Sequence, residues 1–334
     1  MKTFKKLRYR LEYASVQAAA RLLQALPLGV AQAAGRGAGR AAWALGVARA
    51  AANENLSRFL GLGGAERRRV ASAAYANFGQ TMGELAWMPA LDPVELDSMF
   101  TFDGLEQMQA AKDAGRGIVC MSAHYGNWEW MGAALIRRGF KVCYLIGTQS
   151  NPWVDELFNR YRGKVGIQFV RIHDIRGGLK VLKAGGLVAL LGDQDGDKWG
   201  TFAPFFGAQA STHSIGELLA RRSGSALAFG VPVRLGPRRH HLKVEMIPPP
   251  PEGLTEVQGT AWTLARYNAL LEAAIREHPE HWLWMHHRWR SIPLHRLAGV
   301  DRALAESGEI AFDTAAQSWH RVPGGAHYPV EGWK

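Results

Sequence analysis

Six short apolar runs alternate with helical stretches through the middle of this chain, and that alternation limits the possible folds more tightly than any other feature. The runs occupy residues 117–123, 141–147, 168–172, 187–192, 226–235 and 241–247, bounded by turn formers such as Gly, Asp and Pro. Helical periodicity falls at about 128–138, 152–164, 174–184, 212–223 and 258–277. Strands separated by helices of this length pair mostly in parallel, because a parallel connection has to cross the sheet. The predicted fold is therefore α/β, with a central mixed, largely parallel sheet flanked by helices. Pro248 to Pro251 lack amide donors and cannot sit inside a sheet, so they read as a stiff connector before the last long helix.

Ahead of this region, residues 51–100 keep a helical pattern in which Arg67, Arg68 and Arg69 read as a solvated face. The N-terminus is different. Lys2, Lys5, Lys6, Arg8 and Arg10 fall in the first ten residues without an acid, followed by an Ala- and Leu-rich stretch to Ala52. Its longest uncharged run, residues 22–35, includes Gln24, Pro27 and Gln32 and is short of the ~17–25 apolar residues a span requires. Tyr13, Val16, Ala20 and Leu23 share one helical face, and Pro27 ends the helix. Such a helix either lies in a lipid headgroup layer or packs on its own domain, and its residues alone allow both. The predicted organisation is a basic amphipathic membrane-associating segment over 1–52, an α/β domain over 53–290 and a tail over 291–334.

Charge and cysteine content narrow the setting. Lys+Arg of 40 against Asp+Glu of 29 leaves +11, which attracts acidic partners: nucleic acid, an anionic bilayer or an acidic carrier protein. Cys120 and Cys143 sit within apolar strands and read as buried, reduced thiols.

Several apparent motifs fail on physical grounds. Gly35 to Gly39 imitates a phosphate loop but follows no strand, and reads as a helix interruption. Asp193, Asp195 and Asp197 begin like a calcium loop, yet Lys198 stands where glycine is required and Pro204 where the closing Glu belongs. His278, His281, His286 and His287 have no Cys or acid at zinc spacing. No Gly-x-Ser-x-Gly elbow is present.

The surviving constellation is Ser122-Ala-His124-Tyr-Gly126-Asn127-Trp128-Glu129. His124 ends a buried strand, Gly126 permits a sharp turn, and Asn127 is a good N-cap for a helix starting at Trp128. In that setting Glu129 is placed to reach back and orient His124 as a general base. A capped helix carrying a structural histidine uses the same residues. A second His-x4-Glu, His240 and Glu245, lies on a strand where an odd offset separates the side chains, so it reads as accidental.

The His124-x4-Glu129 element resembles the signature of the lysophospholipid acyltransferase superfamily. Residues 159–162 (Asn-Arg-Tyr-Arg), 192–195 (Gly-Asp-Gln-Asp), 202–207 with 210–212, and 282–290 narrow the resemblance to the lipid A lauroyl/myristoyl, or late, acyltransferases. It covers about residues 10–290 in order, although a second Arg commonly follows the first His of the last motif, where His287 stands here.

The resemblance implies a glycerol-3-phosphate acyltransferase-like fold on the cytoplasmic face of the cell inner membrane. It implies acyl transfer from an acyl carrier protein thioester to a hydroxyl of a lipid A precursor or similar glycolipid, with no metal or cofactor. His124 and Glu129 would be catalytic, and Arg162, Asp193, Asn127 and Arg160 would bind substrate. Arg162 or backbone N–H groups near Gly126 are the expected oxyanion donors. Phe202, Phe205 and Phe206 line an acyl groove or pack in the core. Two other readings remain at this point: an acyltransferase on another lipid using acyl-CoA, and a non-enzymatic anionic-lipid or nucleic-acid binding protein. Nucleic acid fits poorly, because the basic residues are not interleaved with aromatics.

Overall fold

The computed structural model describes residues 2–291, 310–313 and 318–321. Seven strands form its central sheet: β1 (Phe100–Asp103), β2 (Ile118–Ser122), β3 (Val142–Ile146), β4 (Gln168–Arg171), β5 (Leu187–Leu191), β8 (Ala226–Gly236) and β9 (Arg239–Ile247). Two more, β6 (Thr201–Phe205) and β7 (Ala208–Thr212), pair apart from it. The sheet order is β1-β9-β8-β2-β5-β3-β4. Every neighbouring pair in it is parallel except β8 and β9, which form an antiparallel hairpin. The six apolar runs all become strands of this sheet. Sequence reading misses β1, whose four residues pair with β9 at the edge.

Alternate residues of β2 point to opposite faces, which gives the domain two cores. Val119 and Met121 pack with Leu190, Phe229 and Leu264 on the face covered by α9 (Ile175–Lys183), α10 (Ile215–Ser223) and α11 (Glu256–Glu277). Ile118 and Cys120 pack with Tyr144, Trp130 and Met131 on the face covered by α6 (Leu105–Asp113) and α7 (Trp128–Arg137). Cys120 and Cys143 are buried free thiols as expected, and burial pushes them up to about 12 and about 11. The β6–β7 hairpin, between β5 and α10, is unforeseen in the sequence. It delays the start of α10 to Ile215.

The N-terminal region is α1 (Lys2–Gln24), α2 (Leu28–Ala44), α3 (Arg49–Leu60) and α4 (Gly64–Trp87), with Pro27 breaking the first from the second. A short α5 (Pro93–Met99), capped by Asp92, leads into β1. The expected interruption at Gly35 to Gly39 is corrected, because α2 runs through it. Those glycines let α2 press backbone to backbone on α4: a Cβ on Gly39 would lie 2.0 Å from the Tyr75 carbonyl oxygen, and one on Gly79 2.3 Å from that of Gly35. Residue 52 falls inside α3, whose Ala52 and Leu56 are core residues, so the boundary read at 52 does not coincide with a gap between elements. Within the tail, β10 (Ile310–Asp313) pairs with β11 (Ser318–Arg321) in an antiparallel ladder.

Candidate active site

The carboxyl ends of β2 and β5 lie side by side, with Ser122 opposite Leu191 in register. Two residues beyond that pair on each strand stand His124 and Asp193, and they meet. Asp193 Oδ2 accepts the backbone N–H of His124 at 2.9 Å, and Oδ1 lies 2.9 Å from His124 Nδ1. The Trp282 indole N–H donates to Oδ2 at 2.9 Å. Asp193 is buried, which by itself raises its pKa, but the charge of His124 and these hydrogen bonds outweigh burial and hold the carboxyl below its usual range. An ionised carboxylate only accepts, so Nδ1 carries a hydrogen, and whenever the ring is neutral Nε2 is the nitrogen that presents a lone pair. The His124 side chain is 19% exposed, so it is not sealed from solvent.

Glu129, expected to orient His124, does something else. Its carboxylate takes Arg162 bidentately, Nε to Oε2 at 2.9 Å and Nη2 to Oε1 at 2.6 Å. Trp128 lies between the two pairs, with its ring edge-on to His124 at 5.2 Å and its indole N–H donating to Glu129 at 3.2 Å. The helix begins at Trp128 and turns Glu129 toward α8 (Pro152–Lys164), where a largely buried guanidinium requires a carboxylate. The carboxylate hydrogen-bonded to His124 is that of Asp193. Arg162 also donates from Nη1 to Asn159 at 2.9 Å, and each terminal nitrogen keeps one further N–H.

The other expected site residues separate. Asn127 caps α7 as foreseen, accepting from Trp130 N at 2.9 Å, but it is fully buried and its amide donates to Glu84 at 2.7 Å. It caps α7 and is sealed from solvent. Arg160 points away from Arg162, exposed and bonded to the Tyr13 hydroxyl at 3.4 Å. The N–H groups of Tyr125 and Gly126 are used by the carbonyls of Ala123 and His281, so neither is free as an oxyanion donor. Phe202, Phe205 and Phe206 are buried, and Phe205 and Phe206 pack against Trp282, Trp284 and Trp289, which makes the cluster core.

Residues the sequence did not flag hold the turn. Glu84 and Arg234 form a buried bidentate pair with both contacts at 2.7 Å. Arg234 also donates to Asn77 at 2.9 Å and to Thr81 at 3.1 Å, and the Thr81 hydroxyl donates to the Gly126 carbonyl at 2.7 Å. Gly126 has φ +57°, and a Cβ there would lie 1.8 Å from the Pro232 carbonyl oxygen, so only glycine fits. The available signal was a lone charge in each of two apolar stretches, Glu84 and Arg234. Near Asp193, the Asp195 carboxylate accepts from Ser291 at 2.9 Å, while its N–H donates to His286 Nε2 at 2.9 Å.

An imidazole held by a carboxylate stands at the carboxyl edge of a mixed α/β sheet, with a buried arginine–glutamate pair on the other side of one indole. The chain belongs to the bacterial lipid A biosynthesis acyltransferase family, whose sequence profile matches residues 1–291, and it is an acyltransferase. The lipid A biosynthesis lauroyltransferase of Escherichia coli (strain K12) is 26% identical over 233 residues, 68% of this chain and 74% of that protein. The palmitoleoyltransferase of the same strain is 25% identical over 233 residues, 69% of this chain and 74% of its own. A lipid A biosynthesis acyltransferase of Shigella flexneri matches to the same extent, at 25%.

Proposed function

We propose that the protein moves a fatty acyl chain from an acyl carrier protein thioester to a hydroxyl of a lipid A precursor or similar glycolipid, with His124 as general base. The observation that carries this reading is the Asp193–His124 pair, which leaves Nε2 as a proton acceptor on an accessible ring. In the proposed step Nε2 takes the hydroxyl proton as the oxygen attacks the thioester carbonyl. The intermediate then collapses, the C–S bond breaks, and the departing thiolate takes the proton back from the imidazolium. Asp193 stabilises that imidazolium, and Trp282 keeps Asp193 aimed. Arg162, fixed by Glu129, is the proposed donor to the oxyanion.

No helix among the described residues is long and apolar enough to cross a membrane. The proposed contact is an interfacial one, on the cytoplasmic face of the inner membrane. Phe4, Leu7 and Leu11 are exposed at spacings of three and four along α1, among Lys5, Lys6, Arg8 and Arg10. The proposed organisation remains this N-terminal segment, the α/β acyltransferase domain and a C-terminal tail.

Mass spectrometry of lipids after incubation with acyl carrier protein or coenzyme A thioesters tests the reading. The expected product is an O-acylated glycolipid formed faster from the carrier-protein donor. Free fatty acid alone, or preference for the coenzyme A donor, would overturn the respective assignment.

A further inference from the structure

The loop after β5 runs from Asp193 through a short 3-10 turn, residues 197–199, and at its tip Trp199 is 80% exposed. This is a large apolar area to leave in water. Lys198 Nζ lies 5.1 Å from the indole centroid, so the tip couples an amphipathic ring to a positive charge.

The tip is built rather than loose. Asp195 bridges to Thr212, Gly196 N–H donates to the Ser211 carbonyl at 2.9 Å, and the Ser211 hydroxyl donates to the Asp197 carbonyl at 2.7 Å. Asp197 adopts φ +51°, and a Cβ on Gly200 would lie 2.2 Å from Ser211 Oγ. These contacts anchor the turn on β7 while its indole faces solvent.

Topology places the tip at the same edge as the basic helix. Asn151, which caps α8 shortly after the carboxyl end of β3, donates to the Tyr9 carbonyl at 2.8 Å and to Glu12 at 3.0 Å. Arg10 lies over Trp153. The first half of α1 is thus docked at the carboxyl end of β3, whose neighbour β5 feeds the Trp199 loop.

We infer that Lys198 and Trp199 form a second membrane contact, inserting the indole at the headgroup layer of an anionic bilayer beside the His124–Asp193 site. This rests on the interfacial reading of α1 and extends it. A ring with an apolar body and a polar N–H, next to an ammonium, matches that layer in chemistry and charge. Two contacts at the carboxyl edge of the sheet would hold the mouth of the site to the surface that supplies a lipid acceptor.

Selective labelling tests this in the full-length protein, because both native cysteines are buried. Trp199→Cys and, separately, Leu7→Cys are labelled with an environment-sensitive fluorophore and mixed with phosphatidylglycerol/phosphatidylethanolamine vesicles. Both labels are expected to shift to the blue. A shift at position 7 alone overturns the Trp199 contact and leaves the α1 reading standing, whereas a shift at 199 alone does the reverse. Silence at both positions overturns both. A shift at 199 caused by acyl carrier protein without vesicles would assign the tip to a protein partner and overturn the proposal. Unlabelled Trp199→Ala should bind vesicles about tenfold more weakly. It should keep its turnover on a detergent-dispersed acceptor.

Discussion

Asp193 holds His124 by two atoms of the same residue, backbone N–H and ring Nδ1, each at 2.9 Å. The grip fixes both where the imidazole stands and which nitrogen carries its hydrogen. Asp193→Asn keeps the shape but presents an amide that can donate to Nδ1, favouring the tautomer with hydrogen on Nε2, which cannot accept a proton. Turnover should fall about 10²–10⁴-fold, with little change in the apparent affinity for the donor. Steady-state kinetics of the purified variant reads both.

Glu129→Gln should fail differently. It leaves the mostly buried Arg162 without its carboxylate, a loss of about 3–5 kcal/mol in folding stability. Denaturant unfolding should show this destabilisation, while turnover per folded molecule falls less than in Asp193→Asn. Equal turnover defects with unchanged stability would return Glu129 to the catalytic base.

Two glycines of positive φ separate conformational strain from crowding. Gly115 has φ +70° and nothing within 4 Å of where a Cβ would stand, whereas a Cβ on Gly126 would strike the Pro232 carbonyl. Gly115→Ala should cost about 1 kcal/mol. Gly126→Ala has a backbone clash as well and should lose at least about 3 kcal/mol or fail to accumulate as soluble protein. Thermal melts of the two variants make the comparison.

The sheet was legible because burial on both faces leaves uninterrupted apolar runs, and the helices because their capping residues lie beside periodic stretches; Asn127, Asn151 and Thr255 all cap as N-cap residues do. β1 and the β6–β7 hairpin were not legible, since an edge strand of four residues and a hairpin of aromatic and polar residues carry little period. His124 was legible by its place at a strand end. Its partner was not, because Asp193 is 69 positions away and only the pairing of β2 with β5 brings the two together. Proximity in sequence favoured Glu129 instead. The α2–α4 glycine contact likewise means that removing residues 1–50 would strip a packed helix from the domain, so point variants on α1 are the cleaner membrane test.

His240 and Glu245 do not meet, since β9 turns His240 fully inward and leaves Glu245 outside. It is not neutral to stability, however, because it stacks on Phe100 at 4.9 Å inside the core. Burial lowers its pKa first, helped by Arg234, to about 3. His281 is likewise lowered to about 3 and His286 to about 4, burial leading in both.

A lowered histidine keeps its stabilising contribution above the unfolded value of ~6.5 and loses it as pH falls toward the folded value. Stability should therefore decline from about pH 6.5 downward. His240→Phe should make that decline shallower by about 1.4 kcal/mol per pH unit between roughly pH 6 and 4. Denaturant unfolding across that range checks the slope.

The most direct test of the account is the turnover of His124→Ala on a glycolipid acceptor, followed by mass spectrometry alongside its unfolding curve. A loss of about 10²–10⁴-fold in O-acylated product per folded molecule is expected, with the midpoint lowered only by the one hydrogen bond that the buried Asp193 gives up. Turnover per folded molecule close to that of the unaltered protein, with a lowered midpoint, would make His124 a structural residue and contradict it.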